Sequence, residues 1–229
     1  MIEAYNWPTS NGRKIFIMLE ETGLPYTVHP VSIRNGDQFK PEFLKISPNN
    51  KIPAIVDSDG PGGQPISIFE SGAILIYLAR KAGQFFPADE AQQYKVLSWL
   101  FMQVGHVGPA FGQAHHFRDY APPGSDYAIQ RFTKEAGRVY GVLDRRLGEA
   151  DYLAGDYSIA DMAVFPWTQG HDKQGHRLSD YPNVQRWFDA IGERPAVQKA
   201  LTVMADARNA PMTEAARDIM FGAKQYERR

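Results

Sequence analysis

Two short stretches of this sequence place hydrogen-bond donors where an anion could be held. The first is Pro8-Thr9-Ser10-Asn11-Gly12, between the strand-like run 2–6 (IEAYN) and the apolar residues Ile15, Met18 and Leu19, which recur at helical spacing. The Thr9 hydroxyl, the Asn11 amide and the N–H groups of Ser10 and Asn11 would all face whatever sits at the start of that helix. A helix N-terminus and an O–H donor both favour a thiolate over a thiol. The same residue types are good N-caps, and on spacing alone the cap is the stronger reading of Thr9. Ser10 offers a rival hydroxyl in the same loop; Tyr5, inside the strand, reads as a packing residue. The second stretch is Phe69-Glu70-Ser71, at the head of a helix marked by Ile74, Leu75 and Leu78. Ser71 can cap that helix, or the uncapped N–H groups there can bind a carboxylate, with Glu70 left to pair with a cation. The two roles are compatible.

Other polar residues carry less. Gln38 and Lys51 lie in loops, and Arg131 lies off the apolar face defined by Ile129 and Phe132; each by itself reads as a solvated side chain. His115 and His116 are adjacent, so on a helix they point about 100° apart and do not form the i, i+4 pair a zinc site prefers. The chain has no cysteine, which excludes a disulfide framework, a thiolate metal site, a cysteine nucleophile and a protein-borne CxxC centre. No metal is expected. Ser158-Ile159-Ala160-Asp161 has the spacing of a capping box, with Tyr157 and Met162 placed as a hydrophobic staple; this is folding information. Gly60 to Gly63 form a turn with no GK[ST] behind it, so they are no phosphate cradle.

These stretches need elements to hold them. Short strands are predicted at 2–6, 26–31, 54–57 and 66–69, with helices after the first, after the second (a weak piece over 39–46) and from Ser71 to about Ala82. Past Pro87 the strand signals stop, and helices are predicted over 90–116, 126–148, 158–169, 182–193 and 195–207, followed by a polar tail, 208–229. Glycines 105, 108 and 112 on the long helix suit close helix approach, with a dimer interface as one place for it. Segregated halves imply two domains, 1–82 and 88–229. The 229 residues are 43% hydrophobic and 22% charged, ordinary for a globular protein, and the net charge of −1 argues against a nucleic-acid or anionic-membrane partner. With no apolar run near the roughly 18 residues of a spanning helix and no signal-peptide pattern in MIEAYNWPTSNGRK, a soluble cytoplasmic protein is expected.

The segment Asn49-Asn50-Lys51-Ile52-Pro53-Ala54-Ile55-Val56-Asp57, with an X-Pro bond entering a strand of a β-α-β-α-β-β-α order, resembles the cis-proline segment of the thioredoxin-like fold. Together with Phe69-Glu70-Ser71-Gly72-Ala73-Ile74 it resembles the N-terminal domain of the glutathione transferases, and Ser158 to Asp161 resembles the capping box of that family's C-terminal domain. Pro8 to Gly12, Ile46 to Pro53 and Gly112-Gln113-Ala114-His115-His116-Phe117 are similar to the bacterial Nu class. That class includes disulfide-bond oxidoreductases that use glutathione, and it is related to the transferase-like domain of a yeast nitrogen-regulatory prion protein.

The resemblance implies an α/β plus all-α protein: a thioredoxin-like domain followed by a helical bundle. It implies glutathione as cosubstrate, Thr9 and Asn11 as the catalytic pair on its sulfur, and a binding set of Asn11, Gln38, Lys51, Ile52, Pro53, Glu70, Ser71 and Arg131. In that set Lys51 takes the glycine carboxylate, Ile52 offers its main chain, Glu70 pairs with the α-ammonium, Ser71 binds the γ-glutamyl carboxylate and Arg131 reaches toward the thiol. The implied activity is reduction of small disulfides by glutathione, with weak transferase or peroxidase activity, in a homodimer. Two alternatives stand beside it. One is attack of the same thiolate on an electrophilic carbon, as conjugation or ether thiolysis. The other is a non-enzymatic regulatory protein, against which the set Thr9, Asn11, Lys51, Glu70 and Ser71 argues.

Overall fold

The computed structural model describes residues 1–209 and 211–227. Within the expected tail, residues 210, 228 and 229 lie outside that description. The chain forms two compact units: Met1–Leu78 together with the chain from Lys199 onward, and Ala79–Gln198. This differs from the sequence expectation of 1–82 and 88–229. The division falls inside a helix, and the last helices group with the first unit.

The first unit is built on a four-stranded sheet of order β2-β1-β3-β4, from β1 (Ile2–Asn6), β2 (Tyr26–Pro30), β3 (Ala54–Asp57) and β4 (Ile66–Phe69). β1 pairs in parallel with β2 and antiparallel with β3, and β3 pairs antiparallel with β4. This is the thioredoxin-like arrangement. Pro30 ends an edge strand, where its missing N–H costs no ladder bond. The parallel β1–β2 pair requires a crossover, supplied by α1 (Ser10–Thr22), which stops at Gly23 in the left-handed conformation. Every residue of α1 from Gly12 to Leu19 is buried, Arg13 and Lys14 included. A short helix, α2 (Pro41–Leu44), and α3 (Ser71–Ala82) complete the α/β pattern. Ile2, Ala4, Phe16, Ile55, Ile74 and Leu75 form its buried interior.

The second unit is all helical: α4 (Glu90–Met102), α5 (Gly108–Asp119), α6 (Asp126–Leu147), α7 (Ile159–Thr168) and α8 (Pro182–Gly192). A π-turn, Gln103–Val107, joins α4 to α5 within the stretch predicted as one helix. The glycines there do not serve a free face. A Cβ at Gly112 would lie 3.3 Å from the Trp167 ring and one at Gly108 3.7 Å from it, so both glycines seat Trp167 of the same unit; only Gly105 opens on empty space. Phe111 stacks on Tyr140, whose hydroxyl donates to Gln174 Oε1 at 2.6 Å. The helix predicted over 195–207 is two, α9 (Pro195–Thr202) and α10 (Ala205–Asn209), parted near Met204, which has a φ of 55°. The polar tail carries α11 (Glu214–Phe221).

Candidate active site

The turn from β1 into α1 is pinned by a residue the sequence reading passed over. Asn6, fully buried at the end of β1, donates its side-chain amide to Gly12 O at 2.9 Å and accepts the Trp7 N–H on its Oδ1 at 2.9 Å. Strand end and helix start are thereby drawn so close that a Cβ at Gly12 would sit 1.9 Å from Trp7 O; no other residue fits. Thr9 caps α1, its Oγ1 accepting the Gly12 N–H at 3.2 Å. The cap uses a lone pair only, so the hydroxyl proton can still be donated elsewhere. Asn11 follows in the first turn.

Beside this turn lies a cavity of about 210 Å³. Asn11 forms one wall; Lys51, Ile52 and Pro53, with Ser47 and Asn49 before them, form a second; Glu70 and Ser71 form a third. The Ile52–Pro53 bond is cis. The β3 ladder begins only at Ala54, so Ile52 stands outside it at the cavity wall. The Ser47 hydroxyl donates to Lys51 O at 2.7 Å and closes the loop that carries these residues. Lys51 Nζ donates to Oε1 of Gln225, in the C-terminal tail, at 3.0 Å.

The third wall is the start of α3. Glu70 has a φ of 69°, a left-handed conformation that turns the chain sharply from β4 into the helix. Ser71 is buried, and its Oγ accepts a hydrogen bond from Lys14 Nζ at 3.1 Å. Lys14 is 2% exposed. Burial pulls its ammonium down to about 7, against the opposing pull of Glu70. The sequence did carry a signal for it: Lys14 lies three and four residues before Ile17 and Met18, on a face that is buried throughout.

Other expected residues lie elsewhere. Gln38 is buried, donates its amide to Ile33 O at 3.3 Å and is not among the residues lining the cavity. Neither is Thr9. Arg131 is exposed on α6 of the second unit. Tyr5 stacks on His29, a packing role. His115 pairs with Asp119 at 3.0 Å, and among the described residues no group of three His, Cys, Asp or Glu is placed to hold a metal. The capping box forms: Ser158 Oγ accepts the Ala160 N–H at 3.3 Å, and Asp161 Oδ2 accepts the Ser158 N–H at 3.0 Å.

A sheet of this order, a cis X-Pro loop and a helix start around one cavity have counterparts in known proteins. Residues 10–81 match the glutathione S-transferase N-terminal domain and residues 128–195 its C-terminal domain. The chain belongs to the glutathione S-transferase family. Within it, the disulfide-bond oxidoreductase YfcG of Escherichia coli K12 is 50% identical over 203 residues, covering 88% of this chain and 94% of that one. The disulfide-bond oxidoreductase YghU of the same organism is 42% identical, covering 93% and 77%. Among solved structures, a glutathione transferase from Pseudomonas putida with one glutathione disulfide bound per subunit matches with a TM-score of 0.84 and 46% identity, over 89% of this chain and 91% of that one. A family member from Pseudomonas fluorescens with two glutathione bound matches with a TM-score of 0.82 and 45% identity, over 87% and 92%.

Proposed function

We propose that this protein is a glutathione-dependent disulfide-bond oxidoreductase of the Nu class. The observation that carries the reading is one cavity that gathers Asn11, Lys51, Ile52, Pro53, Glu70 and Ser71, in a chain 50% identical over 203 residues to a disulfide-bond oxidoreductase. The start of α3 and the Ser71 hydroxyl take the γ-glutamyl carboxylate, as helix N-termini take anions generally. Glu70 pairs with the α-ammonium, the main chain of Ile52 with the peptide, and Lys51 with the glycine carboxylate, which replaces Gln225 on its Nζ. Gln38 and Arg131 complete the binding set on resemblance.

The chain has no cysteine, so glutathione supplies every thiol. The Thr9 hydroxyl and Asn11 amide lower the pKa of the bound thiol by donating to its charged form. The thiolate attacks one sulfur of a small disulfide, forming a glutathione mixed disulfide and expelling the other half as a thiolate, which takes a proton from solvent. A second glutathione thiolate attacks the glutathione sulfur of the mixed disulfide and releases oxidised glutathione and the second thiol. Two glutathione molecules are oxidised and one disulfide is reduced. We place the protein in the cytoplasm as a homodimer, with Tyr94, Phe101 and Val104, exposed at i, i+7 and i+10 along α4 and the π-turn, as the apolar stripe available for pairing. Among the described residues no helix is long and apolar enough to cross a membrane.

The test is reduction of 2-hydroxyethyl disulfide by glutathione, coupled to glutathione reductase and NADPH. The double variant Thr9→Ala, Asn11→Ala should bind glutathione yet turn over slowly. Each lost hydrogen bond to the thiolate is worth roughly 1.5–3 kcal/mol, on the order of 10- to 100-fold in rate; Ser10→Ala should be mild. A wild-type protein without glutathione-dependent turnover would give the lead to a non-enzymatic role.

A further inference from the structure

Lys14 has no part in the reaction above, yet it is a deeply buried charge against one wall of the site. A lysine on a surface helix normally runs its stem along apolar groups and leaves its ammonium in water. This one does not, since it is 2% exposed in the fully enclosed stretch of α1. Its Nζ lies 3.1 Å from Ser71 Oγ, and Ser71 lines the cavity.

The direction of that hydrogen bond is fixed by the chemistry of the two groups. An ammonium has three donors and no acceptor. While Lys14 is charged, Ser71 Oγ must therefore accept, and its single proton is free to point into the cavity. A neutral amine has a lone pair, so loss of the proton lets the Ser71 hydroxyl turn and donate to Lys14 instead. The protonation state of a residue behind the wall thus sets whether the wall offers a donor or an acceptor.

The electrostatics run the same way. The ammonium lies against the start of α3, whose own partial charge is positive, so the two disfavour one another until an anion enters. Of the charged groups on the elements around Lys14, Arg13 is its neighbour on α1 and is also positive. Asp57 at the end of β3 is engaged by the Tyr77 hydroxyl at 2.6 Å and by the Asp59 N–H at 3.0 Å. Glu70 ahead of α3 acts on Lys14 in the direction that favours the charged form. In the reading above Glu70 is also the partner of the ligand's ammonium, so an arriving carboxylate brings negative charge as Glu70 becomes shared.

We propose that Lys14 is a positioning residue for the carboxylate end of the ligand: its ammonium turns the Ser71 hydroxyl toward the cavity and supplies positive charge behind it, so that ligand binding and proton retention on Lys14 reinforce each other. The proposal rests on the glutathione reading of the cavity. Burial pulls the Lys14 ammonium down to about 7 in the absence of ligand, so the coupling acts within the physiological range. By linkage, whatever binding adds to proton affinity, the proton adds to binding.

The test uses the full chain and S-methylglutathione, which has no thiol to ionise, in calorimetry between pH 6 and 8 with two buffers of different ionisation enthalpy. Wild type should take up a fraction of a proton on binding and lose affinity as pH rises. Lys14→Met should bind on the order of tenfold more weakly at pH 6, with no proton uptake and a flat pH profile. Ser71→Ala should cost less in that background than in wild type. Carbon-13 titration of the lysine ε-carbons in unaltered protein gives a reading independent of whether the variant folds: one lysine should titrate near neutrality, and the ligand should move its midpoint upward. Binding without proton uptake and an unmoved midpoint, or full affinity in Lys14→Met, overturns the role of Lys14 while leaving the glutathione reading intact. No binding to wild type at any of these pH values overturns both.

Discussion

The helix starts at Ser158 and Ser71 both set a buried serine at the head of a helix, but their electrostatics are opposite. At α7 the chain supplies its own anion. Asp161 accepts the Leu153 N–H at 3.0 Å, the Ser158 N–H at 3.0 Å and the Trp187 Nε1–H at 2.9 Å, and nothing further is needed. At α3 the chain supplies a cation, Lys14, and a cavity. Both starts follow from the same unsatisfied N–H groups and the same positive helix end. A helix start completed from within locks a fold; one flanked by a cation and a space has room for an anion from outside.

The largest expected effect comes from breaking the closed start. Asp161→Ala would strand four buried donors, the Ser158 hydroxyl at 3.2 Å being the fourth, and loss of such a buried charge network costs about 3–5 kcal/mol; denaturant melts should show it, while folded protein keeps its affinity for glutathione. At the open start the cost should fall on the ligand. Ser71→Ala and Glu70→Ala should each weaken glutathione binding, the first by roughly 1.5–3 kcal/mol for a lost hydrogen bond to a carboxylate, the second by about 1 kcal/mol or less, since Glu70 is exposed in the ligand-free chain. Calorimetry reads this directly, and full affinity in either variant returns that residue to a structural role.

The pH dependence of stability sharpens the contrast. Lys14 titrates at about 7 in the folded protein, below its ordinary 10.5. Between those values the unfolded chain holds a proton that the folded chain does not, so stability from this group rises with pH; below about 7 the burial cost is present in full. Lys14→Met should therefore stabilise the ligand-free protein at pH 6 by on the order of 1–4 kcal/mol, and by less at pH 9, in parallel urea melts. The smallest effect is Ser158→Ala, about 1 kcal/mol for a lost cap, with glutathione affinity unchanged; an unmoved midpoint would mean that Asp161 alone closes α7.

Much of this was readable before the structure, for identifiable reasons. The strands 54–57 and 66–69 and the helix from Ser71 sit between strong turn signals, and their limits coincide with β3, β4 and α3. Asn11, Lys51, Ile52, Pro53, Glu70 and Ser71 line one cavity, but their grouping came from motif resemblance; no periodicity relates loops so far apart in the chain. Asn6 escaped because a side chain bonded to a carbonyl six residues on leaves no repeating pattern. Lys14 escapes a pattern built on Ile15, Met18 and Leu19, because only its spacing to Ile17 and Met18 places it on the buried face. The break at Met204 follows no Gly or Pro, and the seat that Gly108 and Gly112 make for Trp167 depends on a helix some fifty residues away.

The hydrogen bond from Trp187 Nε1 to Asp161 gives the second unit a built-in optical gauge. An indole's emission responds to charge near its pyrrole nitrogen, and here that charge belongs to one carboxylate, which burial raises to about 6 against the donors that hold it. When Asp161 gains a proton, the field on the ring changes while the ring keeps its edge-on packing against Phe165. With Trp7, Trp99 and Trp167 changed to phenylalanine, the remaining tryptophan would report the ionisation of a folding lock in ordinary ultraviolet light, with no label attached.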